Sequence, residues 1–324
     1  MTKLIDVHSH PLLPIWKSAL AKATGESAKS PSIFGTRMPP WSTELHLDVM
    51  DKNEISVGML SLPGATNFLT GDDARALARA VNEELANIVS RHSARFGAFA
   101  VVPLDNMEAA IEETAYALDV LKLDGVSSST HYLGKHLGDC YFDPWFDEMN
   151  RRGTTLFAHP VPPSSFRPGG GGLDVSILEF MFESTRMVAH LVLSGTKKKY
   201  SDIKIISTHG GGTIPYLASR ISILEPVFGA GDGHPILSSE EVIAGLGSFY
   251  FDLTASTAAA SLAAIRYLVP ADQMLMGFDY PMMPASTIAP ARSRFAAYGD
   301  LRPDERDMIL SQNATRLFPR LAKL

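Results

Sequence analysis

Near its start the chain reads Ile5-Asp-Val-His-Ser-His10, a run in which apolar and polar residues alternate. This alternation is typical of a β-strand, where successive side chains point to opposite faces, so Asp6, His8 and His10 should share one face. Neutral imidazole is a good ligand for Zn²⁺ and similar cations. A His-x-His pair alone is a weak signal, and core or surface histidines are the alternative. The interpretation of this pair therefore depends on the strands that follow it.

Seven further runs of β-type residues follow, and longer helical patterns separate them. Strands that alternate with helices are typical of parallel βαβ units rather than of a sandwich. Eight such strands predict a (β/α)8 TIM barrel that occupies residues 1–324 as a single domain. A doubly wound open sheet is the alternative, but the pattern Gly-x-Gly-x-x-Gly is absent after the first strand. The predicted strands are 4–8, 56–62, 97–103, 125–129, 155–159, 204–208, 250–254 and 274–278, and the predicted helices are 73–92, 107–123, 174–195, 214–224, 257–268 and 303–317.

Two long connections account for the length that a barrel does not need. A typical barrel takes about 250 residues, which leaves about 70 for insertions and a terminal helix. The first insertion, residues 12–47, follows the first strand on the catalytic face and is rich in Pro, Ser, Gly and Thr. The second, residues 161–173, follows the fifth strand and contains four consecutive glycines. Because glycine permits mobility or a close backbone approach, we expect a flexible lid there.

Further histidines and a carboxylate stand where other predicted strands end. His159 ends the fifth strand, His209 ends the sixth and runs into Gly210-Gly-Gly212, and Asp279 follows the eighth. In a (β/α)8 barrel the carboxyl ends of the strands form the catalytic face, so these side chains should meet the histidines of the first strand. The sequence therefore predicts a single-metal site. The glycine run should let the backbone approach a substrate closely.

The composition indicates a globular protein without a polyanionic partner. Hydrophobic residues make up 45% and charged residues 20%, and 29 Lys+Arg against 35 Asp+Glu give a formal charge of -6. This balance excludes the basic footprint of a nucleic-acid-binding protein. We expect a cytoplasmic protein, because no apolar stretch approaches a membrane span or a signal peptide. The lone Cys140 excludes an intrachain disulfide and is expected to be buried or half-buried, while Lys197-Lys-Lys199 is expected to be a solvated connection.

In their order along the chain, these motifs resemble the aminocarboxymuconate-semialdehyde decarboxylase-like branch of the amidohydrolase superfamily. The resemblance spans nearly the whole chain and rests on Asp6-Val-His-Ser-His10, Ala158-His-Pro160, Thr208-His-Gly-Gly-Gly212, Gly277-Phe-Asp-Tyr-Pro281 and Asn313-Ala-Thr-Arg-Leu-Phe318. It implies a distorted TIM barrel in which His8, His10, His159 and Asp279 hold a metal ion. It places His209 beside the substrate as an acid or base, outside the main ligand set.

The resemblance also implies the reaction, a metal-dependent, non-oxidative decarboxylation that releases CO₂. The substrate would be a small aromatic or unsaturated carboxylic acid, either 6-methylsalicylate- or hydroxybenzoate-like or aminocarboxymuconate-semialdehyde-like, and His209 and Asp279 would move protons. One divalent ion is expected, Zn²⁺ first and Mn²⁺ second, with no organic cofactor. The predicted fourth strand lacks the lysine that binuclear members carboxylate.

Other reactions use the same groups. A metal-dependent hydrolase, a lactonase or a hydratase of a related unsaturated dicarboxylate is the alternative, because the scaffold does not decide the reaction. A non-catalytic metal-binding or ligand-binding barrel is a third class, which the complete set of ligands and acid–base groups argues against.

Four further residues are candidates for binding a carboxylate substrate. Arg37 resembles the family's arginine for the substrate carboxylate, and Arg220 resembles an arginine that reaches across a dimer interface. An exposed Arg37 and a structural ion pair at Arg220 are the alternatives. Trp41 and Phe278 are candidates for an aromatic wall, with core packing as the alternative. A homodimer or dimer-based homo-oligomer is expected.

The remaining polar residues receive lesser roles. His131 is a candidate substrate neighbour, and Asp252 should face inward on the seventh strand to support the site by hydrogen bonding. Surface or packing roles are expected for the other histidines, which are His46, His92, His136, His190 and His234.

Overall fold

Eight parallel strands of the computed structural model form one sheet in chain order. The structure describes residues 3–27, 32–33, 36–163, 165–166, 173–229 and 236–323. Within them the sheet closes on itself, because the Val7 N–H donates to the Met276 carbonyl at 2.9 Å and the His10 N–H donates to the Tyr280 carbonyl at 2.8 Å. The (β/α)8 barrel is therefore confirmed. Its strands are β1 (Ile5–Ser9), β2 (Val57–Leu60), β3 (Phe96–Val101), β4 (Gly125–Ser129), β5 (Thr155–His159), β6 (Lys204–Ser207), β7 (Tyr250–Asp252) and β8 (Met274–Leu275).

Helices cover the outside of the sheet and also fill the first insertion. Residues 12–47 contain α1, a hairpin that pairs Ser32–Ile33 with Thr36–Arg37, and the start of α2. The α-helices of the described residues are α1 (Pro14–Thr24), α2 (Thr43–Lys52), α3 (Gly71–Arg91), α4 (Met107–Ala115), α5 (Asp143–Arg152), α6 (Glu179–Leu193), α7 (Thr196–Lys199), α8 (Ile214–Phe228), α9 (Ser239–Leu246), α10 (Ala259–Leu268), α11 (Ile288–Ala297), α12 (Pro303–Asp307) and α13 (Asn313–Leu317).

Three predicted helices differ clearly from the observed ones, and the one predicted at 107–123 consists of α4 followed by the π-helical segment Tyr116–Val120. The helix predicted at 174–195 begins only at Glu179, because the Asp174 carboxylate accepts a hydrogen bond from the Ser176 N–H at 2.9 Å. Such a local bond favours a turn over a helix. The helix predicted at 303–317 consists of α12 and α13 joined by the π-helical turn Met308–Gln312.

Most of the predicted lid lies outside the described residues. Residue 164 and residues 167–172, which include the four glycines, belong to that part of the chain. The flexible lid therefore stays a prediction.

The barrel interior is filled by side chains from six strands. Val7 of β1 and Phe157 of β5 belong to one buried cluster, although these strands are not neighbours in the sheet, so they meet across the interior. Phe318 and Leu321 of the C-terminal segment pack on the same cluster. A second, larger cluster packs the helices against the outside of the sheet.

The strict alternation expected for β1 does not hold. The register of β1 against β2 shifts between Asp6 and Ser9, so β1 carries one extra residue there. Ile5 and Val7 belong to the interior cluster around Phe157, and the His8 ring meets the same phenylalanine at 5.0 Å. Because of the bulge, the apolar interior of the barrel directly adjoins the histidines of the site.

Three surface properties follow from the same structure. Cys140 is exposed, so the prediction of a buried or half-buried thiol is wrong. The prediction of a solvated lysine run fails at Lys197, of which only 8% is exposed, whereas Lys198 and Lys199 are exposed. No helix in the described part of the chain is long and apolar enough to cross a membrane.

Candidate metal centre and catalytic site

Four side chains converge where β1, β5 and β8 end. His8 and His10 lie at the end of β1, His159 is the last residue of β5, and Asp279 follows β8. One donor atom from each lies within 4.8 Å of the others. The three histidines are buried, and 13% of the Asp279 side chain is exposed. The structure therefore brings the four predicted metal ligands together.

Hydrogen bonds at Nδ1 fix the tautomer of all three histidines. The His8 Nδ1–H donates to Asp252 Oδ2 at 2.8 Å and the His10 Nδ1–H donates to the Ser61 carbonyl at 2.9 Å. The His159 Nδ1–H donates to the carbonyl of the next residue at 2.7 Å. Because Nδ1 carries the proton in each ring, each Nε2 keeps a free lone pair.

This donor set fits a divalent metal ion. The Nε2 atoms of His8 and His10 lie 3.1 Å apart, and two lone pairs at that distance repel each other unless a cation lies between them. Asp279 Oδ1 is buried without a hydrogen-bond partner among the described residues and lies 2.9 Å from His10 Nε2. Three imidazole nitrogens and one carboxylate oxygen suit Zn²⁺ and comparable transition-metal ions.

Asp279 and His159 have the protonation states that metal ligands need. Burial opposes ionisation of Asp279, but the neighbouring imidazoles outweigh it and hold the pKa of this carboxyl well below its usual range. Burial, together with the adjacent histidines, lowers the pKa of His159 well below its usual value, so this imidazole stays neutral. Burial also opposes ionisation of Asp252, but the His8 ring outweighs it and lowers the pKa of this carboxyl.

His209 lies beside the four ligands. Its backbone N–H donates to Asp252 Oδ1 at 3.0 Å, and its Nε2 lies 3.7 Å from Asp279 Oδ2. Its ring packs at 5.0 Å from that of His8 and at 5.1 Å from that of His159. His209 and Asp279 both have a positive φ, of 55° and 59°, which non-glycine residues rarely adopt. Such strained backbone gathers at functional sites.

The glycines after His209 lie where a side chain would clash with neighbouring elements. A Cβ on Gly212 would lie 2.2 Å from the Met181 carbonyl oxygen of α6, and one on Gly211 would lie 2.6 Å from the Phe251 ring of β7. Both also have a positive φ. The glycine run therefore lets the turn pack closely against α6 and β7. A close approach of its backbone to a substrate stays a prediction.

A mainly apolar cavity of about 190 Å³ opens onto the metal ligands. His10, His159 and Asp279 form part of its wall, and α1 contributes Trp16, whose indole N–H donates to the Ala65 carbonyl at 3.2 Å. No local sequence pattern marks Trp16 as a functional residue, although the tryptophan lies in the insertion on the catalytic face. The rest of the wall consists of Leu12, Leu62, Pro63, Pro160, Val161, Asp174, Val175, Ser176, Phe180, Met282 and Met283.

The four predicted substrate-binding residues lie outside this wall. Arg37 is exposed on the hairpin of the first insertion, and Arg220 is exposed on α8. The Trp41 indole N–H donates to His46 Nδ1 at 3.3 Å. Phe278 is buried in the cluster between sheet and helices. Within one chain the structure does not bring these four residues to the metal ligands, because each is held elsewhere or faces outward.

The supporting residues occupy defined positions. Asp252 faces the site, as expected, and binds both His8 and the His209 backbone. The His131 Nε2–H donates to the Pro162 carbonyl at 3.0 Å, at the start of the predicted lid and outside the cavity wall. His46 is buried beside Phe96, in a packing role. His234 lies outside the described residues.

Comparison with known proteins reveals close relatives. The family model described as "Amidohydrolase" matches residues 5–320. A 6-methylsalicylic acid decarboxylase of Penicillium expansum is 34% identical over 325 residues, which cover 98% of this chain and 96% of the relative. The decarboxylase yanB of Aspergillus niger is 32% identical and covers 98% of this chain and 87% of its own. A dihydroxybenzoic acid decarboxylase from Polaromonas sp. JS666, solved with bound manganese and 2-nitroresorcinol, has a TM-score of 0.81 at 21% identity and covers 98% of this chain and 97% of its own.

Proposed function

The chain belongs to the amidohydrolase family, and we propose that it is a metal-dependent, non-oxidative decarboxylase of a small aromatic acid, with a 6-methylsalicylate-like hydroxybenzoate as its substrate. The observation that carries this proposal is the convergence of three Nε2 lone pairs and a carboxylate at one side of an apolar cavity. The relatives named as decarboxylases match nearly the whole chain, which favours this reaction over hydrolysis or hydration.

The reaction exchanges a carboxylate for a proton on one ring carbon. A proton adds to the carbon that bears the carboxylate and makes it tetrahedral. The bond to the carboxylate then breaks, its electron pair restores the aromatic ring, and CO₂ leaves. An ortho hydroxyl group assists because it donates electron density to that carbon. No oxidant or organic cofactor is needed, since the products are the phenol and CO₂.

His8, His10, His159 and Asp279 would hold the divalent ion. The chemistry that such an ion supplies when bound is Lewis-acid polarisation of substrate oxygens. We propose zinc as the ion, with manganese as the alternative. A set of three histidines and an aspartate accepts both ions, and the Polaromonas decarboxylase was solved with bound manganese.

His209 is the proposed proton donor. It is free of the four-ligand set, yet its Nε2 lies 3.7 Å from Oδ2 of Asp279, which lines the cavity. The carboxylate of Asp279 can hold the imidazolium in place while its proton passes to the ring carbon that bears the substrate carboxylate. Asp252 positions His209 through the backbone N–H, so the imidazole does not have to be ordered during the reaction.

The cavity suits a single substituted ring. Its volume of about 190 Å³ is below the roughly 300–1,000 Å³ of sites for drug-sized ligands. Trp16, Met282 and Met283 offer apolar surface for a ring and an alkyl substituent, and they exclude water from the protonated ring.

We also propose a homodimer in the cytoplasm. Tyr216, Ile223 and Val227 are exposed along one face of α8, spaced seven and four residues apart. Arg220 lies between them and would be carried towards a second copy. Light scattering tests this arrangement: a dimer that dissociates in Ile223→Arg supports it, and a wild-type monomer at working concentration contradicts it.

The reaction is tested by product analysis with 6-methylsalicylate. We expect equal amounts of CO₂ and 3-methylphenol, with one hydrogen from water on the carbon that carried the carboxylate. His209→Gln should abolish both products, and His92→Gln, which changes a histidine at the end of α3, should abolish neither. Consumption of substrate without CO₂ would contradict the proposal and favour the hydrolase or hydratase.

A further inference from the structure

A second cavity, of about 480 Å³, lies at the other end of the barrel. Lys204 and Tyr250 line it, and they are the first residues of β6 and β7. The metal ligands stand at the carboxyl ends of parallel strands, so the two cavities open on opposite rims. Residues of α6, α7 and α9 complete the wall of this second cavity.

Lys197 of α7 is an unusual residue to find in that wall. Only 8% of it is exposed, and no carboxylate of the described residues lies within ion-pair distance of its ammonium group. Its Nζ lies 5.7 Å from the centre of the Phe249 ring, whose π face stabilises the charge. Lysine is almost never buried without a partner, because an ammonium group taken from water costs free energy that only a counter-charge offsets.

A second unpaired ammonium group, that of the exposed Lys204, adds positive charge to this cavity. Lys204 lines the same cavity and forms no ion pair with a described residue. Burial first, and then the charge of Lys204, lower the pKa of Lys197. The acidic residue of the wall, Glu241, does not neutralise them, because one carboxylate oxygen binds Lys198 at 3.3 Å and the other accepts the Ser238 N–H at 3.0 Å. The cavity therefore has an excess of positive charge.

The rest of the wall is largely apolar. Val192, Ile203, Leu237 and Ala244 contribute aliphatic surface, and Tyr250 contributes an aromatic ring. A free phosphate would leave this surface unused, whereas an acid with an apolar body would cover it.

We propose that this cavity binds a small organic acid, with its carboxylate between Lys197 and Lys204 and its apolar body against Val192, Ile203 and Leu237. Each ammonium group donates to the carboxylate, and these charge-assisted bonds offset the burial of Lys197. The site is separate from the metal centre and does not depend on the proposed reaction.

Protection of Lys197 from acylation tests the proposal directly. The metal-loaded protein is treated briefly with acetic anhydride in the presence of octanoate, 1-octanol or inorganic phosphate, and acetylation of each lysine is followed by peptide mass spectrometry. We expect octanoate to slow acetylation of Lys197 and Lys204 in a saturable way, and 1-octanol and phosphate at equal concentration to have little effect. Unchanged acetylation with octanoate, or equal protection by 1-octanol, would overturn the proposal. Binding of octanoate at the metal centre does not confuse this measurement, because the signal comes from the lysines themselves.

Lys197→Met provides a second test that does not rely on chemical modification. Methionine keeps the apolar stem and removes the charge, so the ligand-free variant should have a Tm at least equal to that of the wild type. Its affinity for octanoate at this site should fall by at least about tenfold. Lys52→Met is the matched control, because Lys52 is exposed, pairs with Asp48 and lies outside the cavity wall. A lower Tm with an unchanged octanoate affinity would show that Lys197 is structural and would overturn the proposal.

Discussion

Replacing Asp252 by asparagine should weaken metal binding without removing a metal ligand. Asp252 is fully buried, and its Oδ2 accepts the His8 Nδ1–H at 2.8 Å. Its Oδ1 accepts the backbone N–H groups of His209 and Thr254, both at 3.0 Å. One ionised carboxylate therefore accepts from the His8 ring and from both backbone N–H groups.

The asparagine amide can satisfy only one side of this arrangement. If its NH₂ group faces His8, then Nδ1 must accept, the imidazole proton moves to Nε2, and the lone pair that binds the metal is lost. If its NH₂ group faces the backbone instead, it opposes two N–H donors. Loss of a carboxylate behind a ligating histidine typically lowers metal affinity by about 10- to 100-fold, or about 1.4–2.7 kcal/mol.

Chelator competition measures this effect. The metal affinities of the wild type and of Asp252→Asn are compared for Zn²⁺ and Mn²⁺, and circular dichroism confirms that both are folded. Thr254→Val removes the hydroxyl that lies 3.1 Å from His8 Nδ1 and keeps the carboxylate, so its loss of affinity should be smaller. A folded Asp252→Asn protein that binds metal as tightly as the wild type would refute the assignment of the His8 tautomer.

Three further perturbations have defined outcomes. His209→Gln should lower kcat by at least about 100-fold while one metal per chain is retained, and loss of the metal instead would show that His209 is a ligand. Met282→Ala should enlarge the apolar wall and raise kcat/KM for a 6-ethyl substrate relative to the 6-methyl substrate by about tenfold, and an unchanged ratio would remove Met282 from the substrate contacts. Burial lowers the pKa of His46 to about 3, whereas the pKa of histidine in the unfolded chain is about 6.5. Between these values the unfolded state binds more protons than the folded state. The free energy of unfolding therefore falls as the pH drops from about 6.5 towards 3. In urea unfolding of the metal-free protein, His46→Gln should reduce this slope by up to about 1.4 kcal/mol per pH unit, and identical slopes would contradict the assignment.

The metal ligands could be predicted because strand ends are visible in a sequence. His159 closes an apolar run that begins at residue 155, and β5 has the predicted bounds. The meeting of His8, His159 and Asp279 then follows from barrel topology, in which all strands end at one rim. Residue type and strand position were sufficient for this convergence, whereas the choice of ligands that leaves His209 out came from the family resemblance.

Other parts of the site depend on tertiary contacts that no local pattern encodes. Trp16 and Met282 form one wall, although more than 260 residues separate them in the chain. The bulge in β1 and the positive φ of His209 are backbone features that residue alternation does not reveal. Lys197 shows the same limit, because a run of three lysines indicates solvent exposure, whereas the packing of α7 leaves only 8% of Lys197 exposed.

Titration of metal-free protein with a divalent ion tests whether decarboxylation requires one metal ion bound by the three histidines and Asp279. Metal content and CO₂ release from 6-methylsalicylate are measured in the same samples for the wild type and for His159→Ala. We expect CO₂ release to rise in proportion to bound metal, to saturate at one ion per chain and to be lost in the variant together with tight binding. CO₂ release by metal-free protein, or full metal binding without any CO₂, would contradict it.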